Sequence, residues 1–149
     1  LFHPGDLDYI HSVERISKLS NVISINGGVQ LDLMGQENAE STGTRQLSGI
    51  GGQMDFLEGA YRSKGGKGFI CINSSRVTKD GERKSNILAT IPGGSTISAP
   101  RTMIQYVATE YGIASLSGKT LRERAEAMAS IAHPDFREEL MKYAQENFK

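Results

Sequence analysis

The chain has 149 residues, 38% of them hydrophobic and 23% charged, which is enough for one globular domain with a core of its own. Its 17 Lys and Arg balance 17 Asp and Glu, so no general electrostatic grip on nucleic acid or an anionic membrane surface is expected. No apolar run approaches the roughly 20 residues that a membrane-crossing helix needs. Leu1-Phe2-His3-Pro4-Gly5 lacks the basic-then-apolar order of a signal peptide, and the absence of an initial Met is read as the mark of a domain or fragment of something longer. The one cysteine, Cys71, cannot staple the chain, which fits a reducing, cytoplasmic compartment. Its apolar neighbours predict a buried strand position.

In chain order, residues 21–26 alternate in the strand manner, Gly27-Gly28 turns the chain, and residues 29–33 alternate again, predicting a hairpin or two adjoining strands. Residues 36–45 are polar and read as a loop. Met54, Leu57 and Tyr61 have helical spacing and predict a helix over 53–62. The apolar run 69–72 suits a covered strand, 77–83 a polar turn, and 87–91, 96–98 and 106–109 further strands. Thr120-Leu121-Arg122-Glu123 is a capping box, and it opens a helix with Leu121, Ala125, Met128 and Ile131 on one stripe. A last helix starts at Pro134 and turns Phe136, Leu140 and Ala144 inward. Strands interleaved with helices predict an α/β domain, an open layered sheet with flanking helices.

Two glycine clusters bracket the helix over 53–62: Ser48-Gly49-Ile50-Gly51-Gly52-Gln53 before it and Ser63-Lys64-Gly65-Gly66-Lys67 after it. Such clusters let main chain approach a ligand and aim N–H groups at a phosphate or a developing oxyanion. They make a candidate active-site wall. Ser117-Gly118-Lys119-Thr120 resembles the tail of a phosphate-binding loop, but Ile113 stands where its first glycine is required, so Thr120 reads as a helix cap. His3, His11 and His133 are too scattered for a metal site, and no Ser sits in a G-x-S-x-G elbow. Glu110, at a strand end, reads as a loop anchor or an ion-pair partner of Arg122 or Arg124. Lys79 or Lys84 could reach the charge of a phosphorylated ligand lying over the glycine clusters.

Several ordered blocks carry a resemblance: Leu31-Asp32-Leu33-Met34-Gly35-Gln36, Ser48-Gly49-Ile50-Gly51-Gly52-Gln53-Met54-Asp55-Phe56, Thr109-Glu110-Tyr111-Gly112-Ile113-Ala114, Gly118-Lys119-Thr120-Leu121-Arg122-Glu123 and Ile131-Ala132-His133-Pro134. Together they resemble the C-terminal half of the acetyl-CoA hydrolase/transferase family, which includes 4-hydroxybutyrate, butyrate and succinate–acetate CoA-transferases. The resemblance implies that residues 1–149 are the C-terminal domain of a longer two-domain enzyme, a CoA-transferase. It implies coenzyme A and acyl-CoA as substrate without metal, a carboxylate acceptor, the N-terminal domain as partner, and a homo-oligomer.

It also implies a chemistry. A glutamate attacks the acyl-CoA thioester and gives an anhydride, then a glutamyl-CoA thioester, from which CoA passes to a second carboxylate. That glutamate lies upstream in relatives and is assigned to none of Glu14, Glu37, Glu40 or Glu110. The oxyanion hole of relatives aligns with Gly51 and Gly52, with Gly52 favoured. An asparagine that helps hold the thioester aligns near His11, and a lysine that meets CoA aligns with Lys79. Gln53, Lys64, Gly65 and Gly66 are the further candidate CoA contacts. Hydrolysis by the same family, or a non-catalytic CoA- or partner-binding relic, are the alternatives.

Overall fold

The computed structural model describes residues 4–149; His3 lies outside them. Helices α1 (Leu7–Ile10) and α2 (Val13–Lys18) lead into strand β1 (Ile23–Gly27). Four short strands follow, β2 (Gln30–Asp32), β3 (Glu37–Asn38), β4 (Ser41–Thr42) and β5 (Arg45–Gln46), then helix α3 (Gln53–Arg62) and strand β6 (Lys67–Cys71). Next come β7 (Ser75–Val77), β8 (Arg83–Ser85), β9 (Ile87–Leu88), β10 (Tyr106–Thr109) and β11 (Gly112–Ser115). Helices α4 (Leu121–Ser130) and α5 (Pro134–Asn147) close the domain.

The main sheet has the order β1-β6-β10-β11. β1, β6 and β10 run parallel, and β11 returns antiparallel to β10. Parallel neighbours need a crossover, and α3 supplies it between β1 and β6. Its Leu57 is buried, and a Cβ on Gly68 of β6 would meet Leu57 Cδ2 at 3.0 Å, so the glycine lets helix and strand approach. Full burial of a leucine contributes about 1.5–3 kcal/mol. The crossover leaves the N-terminus of α3 at the carboxyl end of the parallel strands and its C-terminus at their start.

β2 does not pair with β1. It lies in a second sheet of order β3-β2-β9, parallel to β9 and antiparallel to β3, so the expected hairpin or adjoining pair does not form. The expected loop over 36–45 contains β3, β4 and the start of β5, and its Glu37, Asn38 and Ser41 are buried. Its Asn38 and Glu40 side chains find partners nearby. Asn38 Oδ1 accepts from the N–H groups of Glu40 and Ser41 at 3.1 and 2.9 Å, and Asn38 Nδ2 donates to Ser41 O at 2.8 Å. Ser98 Oγ donates to Glu40 Oε2 at 2.6 Å. Polarity signals exposure only where partners are missing, and here they are supplied internally. Residues 96–98 form no strand; their neighbourhood reaches the sheet through a single bridge between Glu37 and Ala99. β9 is shorter than the expected 87–91, and β11 was not anticipated.

α4 has both halves of its capping box, and α5 starts at Pro134 with His133 as N-cap. Ala125, Met128, Ile131, Leu140 and Ala144 enter the core as expected, whereas Leu121 is largely exposed. Arg124 is buried, and its guanidinium donates to the carbonyls of Met34, Leu116 and Arg101 at 2.8, 2.7 and 2.7 Å. It thereby ties α4 to three loops.

The main sheet is covered on one face only. Ser24, Gly68, Ile70, Val107 and Ala114 are buried, while the alternate residues Ile23, Ile25, Cys71 and Ile113 are exposed and Phe69 and Tyr106 half-exposed. Ile25, Phe69 and Tyr106 share one row across three strands, and the two rings stack at 4.9 Å. Strand parity therefore reverses the expected burial of Cys71, which stands on the open face.

Candidate active site

Open parallel sheets bind ligands in the crevice outside the carboxyl ends of their strands. Here that crevice has a volume of about 420 Å³ and is lined by Gly28, Cys71, Ile72, Asn73, Ala108 and Thr109, the residues at or just beyond the ends of β1, β6 and β10. A larger groove of about 610 Å³ runs along α1 and α2. Its charged groups are already engaged: Glu14 pairs with Lys18 at 2.6 Å, and Arg15 covers the ring of Tyr9 at 3.5 Å. The crevice is therefore the better candidate.

The glycine run before α3 stands at the same end of the sheet. Gly51 has φ +61°, a left-handed conformation that glycine adopts without strain, and Gly52 is the N-cap of α3. Among the described residues, no protein acceptor pairs with the N–H of Gly51 or Gly52. Unpaired N–H groups at a helix N-terminus carry partial positive charge and favour an anion or oxyanion.

His11 sits directly on this turn. A Cβ added to Gly52 would overlap its imidazole ring, so glycine at 52 is what allows the contact. The ring also meets Phe56 edge-on at 5.1 Å, and its Nδ1 lies 3.6 Å from Asp55 Oδ2. The structure thus unites Gly51, Gly52 and His11. Gln53, the next residue, turns its side chain inward and donates its amide to Glu37 Oε2.

Lys79 lies in the exposed turn between β7 and β8, a hairpin that leaves the carboxyl end of β6. Among the described residues it has no ion-pair partner, whereas Lys84 pairs with Glu82 at 3.1 Å. Lys64, Gly65 and Gly66 are not brought to the crevice. They lie beyond the far end of α3, a ten-residue helix that spans about 15 Å at 1.5 Å per residue. Their glycines have local reasons: a Cβ on Gly65 would strike Asn21 Oδ1, and one on Gly66 would strike the Ala60 carbonyl.

Glu110 anchors a loop, as one of its two readings holds, and makes no ion pair with Arg122 or Arg124. Its carboxylate accepts from Ser74 N at 2.9 Å and Ser74 Oγ at 2.6 Å, tying the β10–β11 turn to the loop after β6. Partial burial pushes its pKa up, but the bonds from Ser74 outweigh that and hold it below the usual value.

Glu37 is the residue that sequence reasoning passed over. Its side chain is fully buried, Oε1 has no partner, and a Cβ on Gly28 would stand 2.6 Å from that oxygen. Burial drives its pKa up to about 8; the bond from Gln53 opposes the shift and the nearby Glu40 adds to it. A signal existed in Gly28, which makes room for a large side chain, but the polar setting of 36–45 concealed what fills it.

The sequence model of the family described as "Acetyl-CoA hydrolase/transferase C-terminal domain" matches residues 2–144. Butyryl-CoA:acetate CoA-transferase of Anaerostipes caccae is 47% identical over 139 residues, covering 93% of this chain and 31% of that protein. 4-Hydroxybutyrate coenzyme A transferase of Clostridium kluyveri is 47% identical over 142 residues, covering 95% of this chain and 32% of the relative. The crystal structure of RipA from Yersinia pestis superposes with a TM-score of 0.81 at 40% identity, over 93% of this chain and 30% of that one. The chain thus spans a little under a third of the length of the relatives it matches. By the family match and these identities, it belongs to the acetyl-CoA hydrolase/transferase family, as a C-terminal domain.

Proposed function

We propose that this chain supplies the main-chain oxyanion wall and part of the CoA surface of an acyl-CoA:carboxylate CoA-transferase, and that the rest of the protein supplies the attacking glutamate. The observation that carries the reading is the Gly51-Gly52 turn at the start of α3, whose two N–H groups have no acceptor among the described residues, at the same end of the sheet as the crevice.

In the proposed reaction the glutamate carboxylate attacks the thioester carbonyl carbon. The C–S bond breaks, CoA leaves as thiolate, and a mixed anhydride remains. The thiolate then attacks the glutamyl carbonyl of the anhydride, which releases the first carboxylate and leaves glutamyl-CoA; an acceptor carboxylate reverses the sequence. Each attack puts negative charge on a carbonyl oxygen. The N–H groups of Gly51 and Gly52 are the donors assigned to it, with His11 beside them, and one such donor is worth about 10²–10³ in kcat. Lys79 is assigned to the CoA phosphates, and Gln53 enters the site through its backbone. Lys64, Gly65 and Gly66, beyond the far end of α3, take no part.

The open apolar face of the main sheet, with Ile25 at 68% and Ile113 at 63% exposure, is assigned to the remainder of the protein. Parallel strands such as β1, β6 and β10 are commonly buried on both faces.

The test is CoA transfer from butyryl-CoA to acetate by the complete protein, with the products followed with and without acetate. Transfer that depends on acetate, with Lys79→Ala weakening CoA affinity several-fold, supports the proposal. Free butyrate and CoA formed without acetate would identify a hydrolase. No turnover by a folded protein that still binds CoA would identify a relic.

A further inference from the structure

We propose that Glu37, as a neutral carboxylic acid, is a positioning residue for the proposed site: through Gln53 it fixes the first turn of α3, and with it the Gly51-Gly52 wall. The inference rests on the functional reading above. It arises from a carboxyl group that the transfer chemistry does not use.

Four observations converge on it. Glu37 has no exposed surface, and its backbone is clamped: its N–H donates to Ala99 O at 3.0 Å, and its carbonyl accepts from Ser98 N at 2.8 Å. The side chain is thus launched from a rigid bridge between β3 and the 98–99 segment. One carboxyl oxygen takes the amide of Gln53, the first residue of α3, which is itself buried. The other stands behind Gly28 on the crevice floor, in space that a Cβ there would fill. Glu37 therefore touches both the floor of the crevice and the helix that bears its wall.

Among the described residues, no cation faces the group. Gln53 comes from α3, Gly28, Ile70 and Ile72 close the β1 and β6 side, and the charged neighbour is the like-charged Glu40. A buried carboxylate with one unpaired oxygen and no counter-charge is unfavourable, so the acid form is favoured. With a pKa near 8 it is mostly neutral at pH 7. Losing that proton would place a naked charge between the floor and the wall.

The sign follows. The folded pKa lies above the unfolded value, so the stability that the neutral group provides is complete below about pH 4.5 and is lost as pH rises to about 8. The experiment compares the complete parent protein with Glu37→Gln and Glu37→Ala, reading the unfolding midpoint and the butyryl-CoA:acetate transfer rate from pH 5 to 9. Glutamine keeps an acceptor for Gln53 and cannot ionise. The expected result is a parent kcat that falls above a break near pH 8 and an unfolding midpoint that declines toward it. Both features should be absent in Glu37→Gln, which as the conservative rescue keeps parent transfer at pH 7 within about threefold. Glu37→Ala should lose about tenfold or more in kcat with KM for butyryl-CoA little changed, the mark of a misplaced wall rather than lost binding.

A Glu37→Gln protein with the parent's pH dependence of the unfolding midpoint, or a Glu37→Ala protein with the parent's kcat, would overturn the inference. A parent that transfers no CoA at any pH defeats the functional reading instead. The midpoint series still decides whether Glu37 is the neutral clamp on α3.

Discussion

Gly52 shows how one missing Cβ sets both packing and chemistry. Its φ of −89° suits any residue, so what demands glycine is the His11 ring lying on its α-carbon. Gly52→Ala should therefore destabilise by about 1–3 kcal/mol through overpacking. Adding His11→Ala to it should bring stability to within about 0.5 kcal/mol of His11→Ala alone, because the two positions are coupled. Chemical denaturation of the four proteins measures this, and strict additivity would place the strain elsewhere. The glycine cluster singled out Gly52 and the family resemblance pointed to His11, yet nothing in the sequence placed one against the other. Glu37 was illegible for the opposite reason. A glutamate amid polar neighbours is ordinarily solvated, and its burial depends on partners at Gly28, Gln53 and Ala99 that lie far along the chain.

Among elements, those with a local physical signature were readable. α3, α4 and α5 carry 3.6-residue periodicity or explicit caps, and the structure places them where spacing predicts. The pairing of short strands was not: β2 and β9 fall within predicted strands, but β2 pairs with β3 and the distant β9 rather than with β1, and β3, with two residues, has too few positions to declare a period. The polar 36–45 segment failed as a loop because Asn38 and Ser98 satisfy it from within. Arg124 was likewise illegible: the sequence offered it only as an ion-pair partner of Glu110, and it holds three carbonyls instead. Arg124→Ala should cost about 2–3 kcal/mol, since one buried and two part-buried carbonyls lose their donor at once. Arg124→Lys, a point charge without the planar fork, should recover only part of it. Equal stability of Arg124→Ala and the parent would contradict the role given to the guanidinium.

The molecule as a whole is one-sided. Its sheet has a packed face under α3, α4 and α5 and an apolar face left open, and its crevice has a main-chain wall but no attacking carboxylate assigned to it. Both features fit the function proposed above, in which the rest of a longer protein covers the face and supplies the carboxylate; the chain matches about 31% of a relative's length. In the complete protein, Ile25→Asp should lower stability by more than about 2 kcal/mol, because it would bury a charge under whatever covers the face. A change within about 0.5 kcal/mol, typical of a surface site, would show that the face stays in water. The central claim is that the Gly51-Gly52 turn receives the thioester oxygen during CoA transfer, and it is tested most directly by the butyryl-CoA:acetate transfer rate of the complete protein carrying Gly52→Val. The account predicts that the parent transfers CoA and that the folded variant loses at least about 100-fold in kcat. A folded Gly52→Val protein that transfers CoA at the parent rate would contradict it.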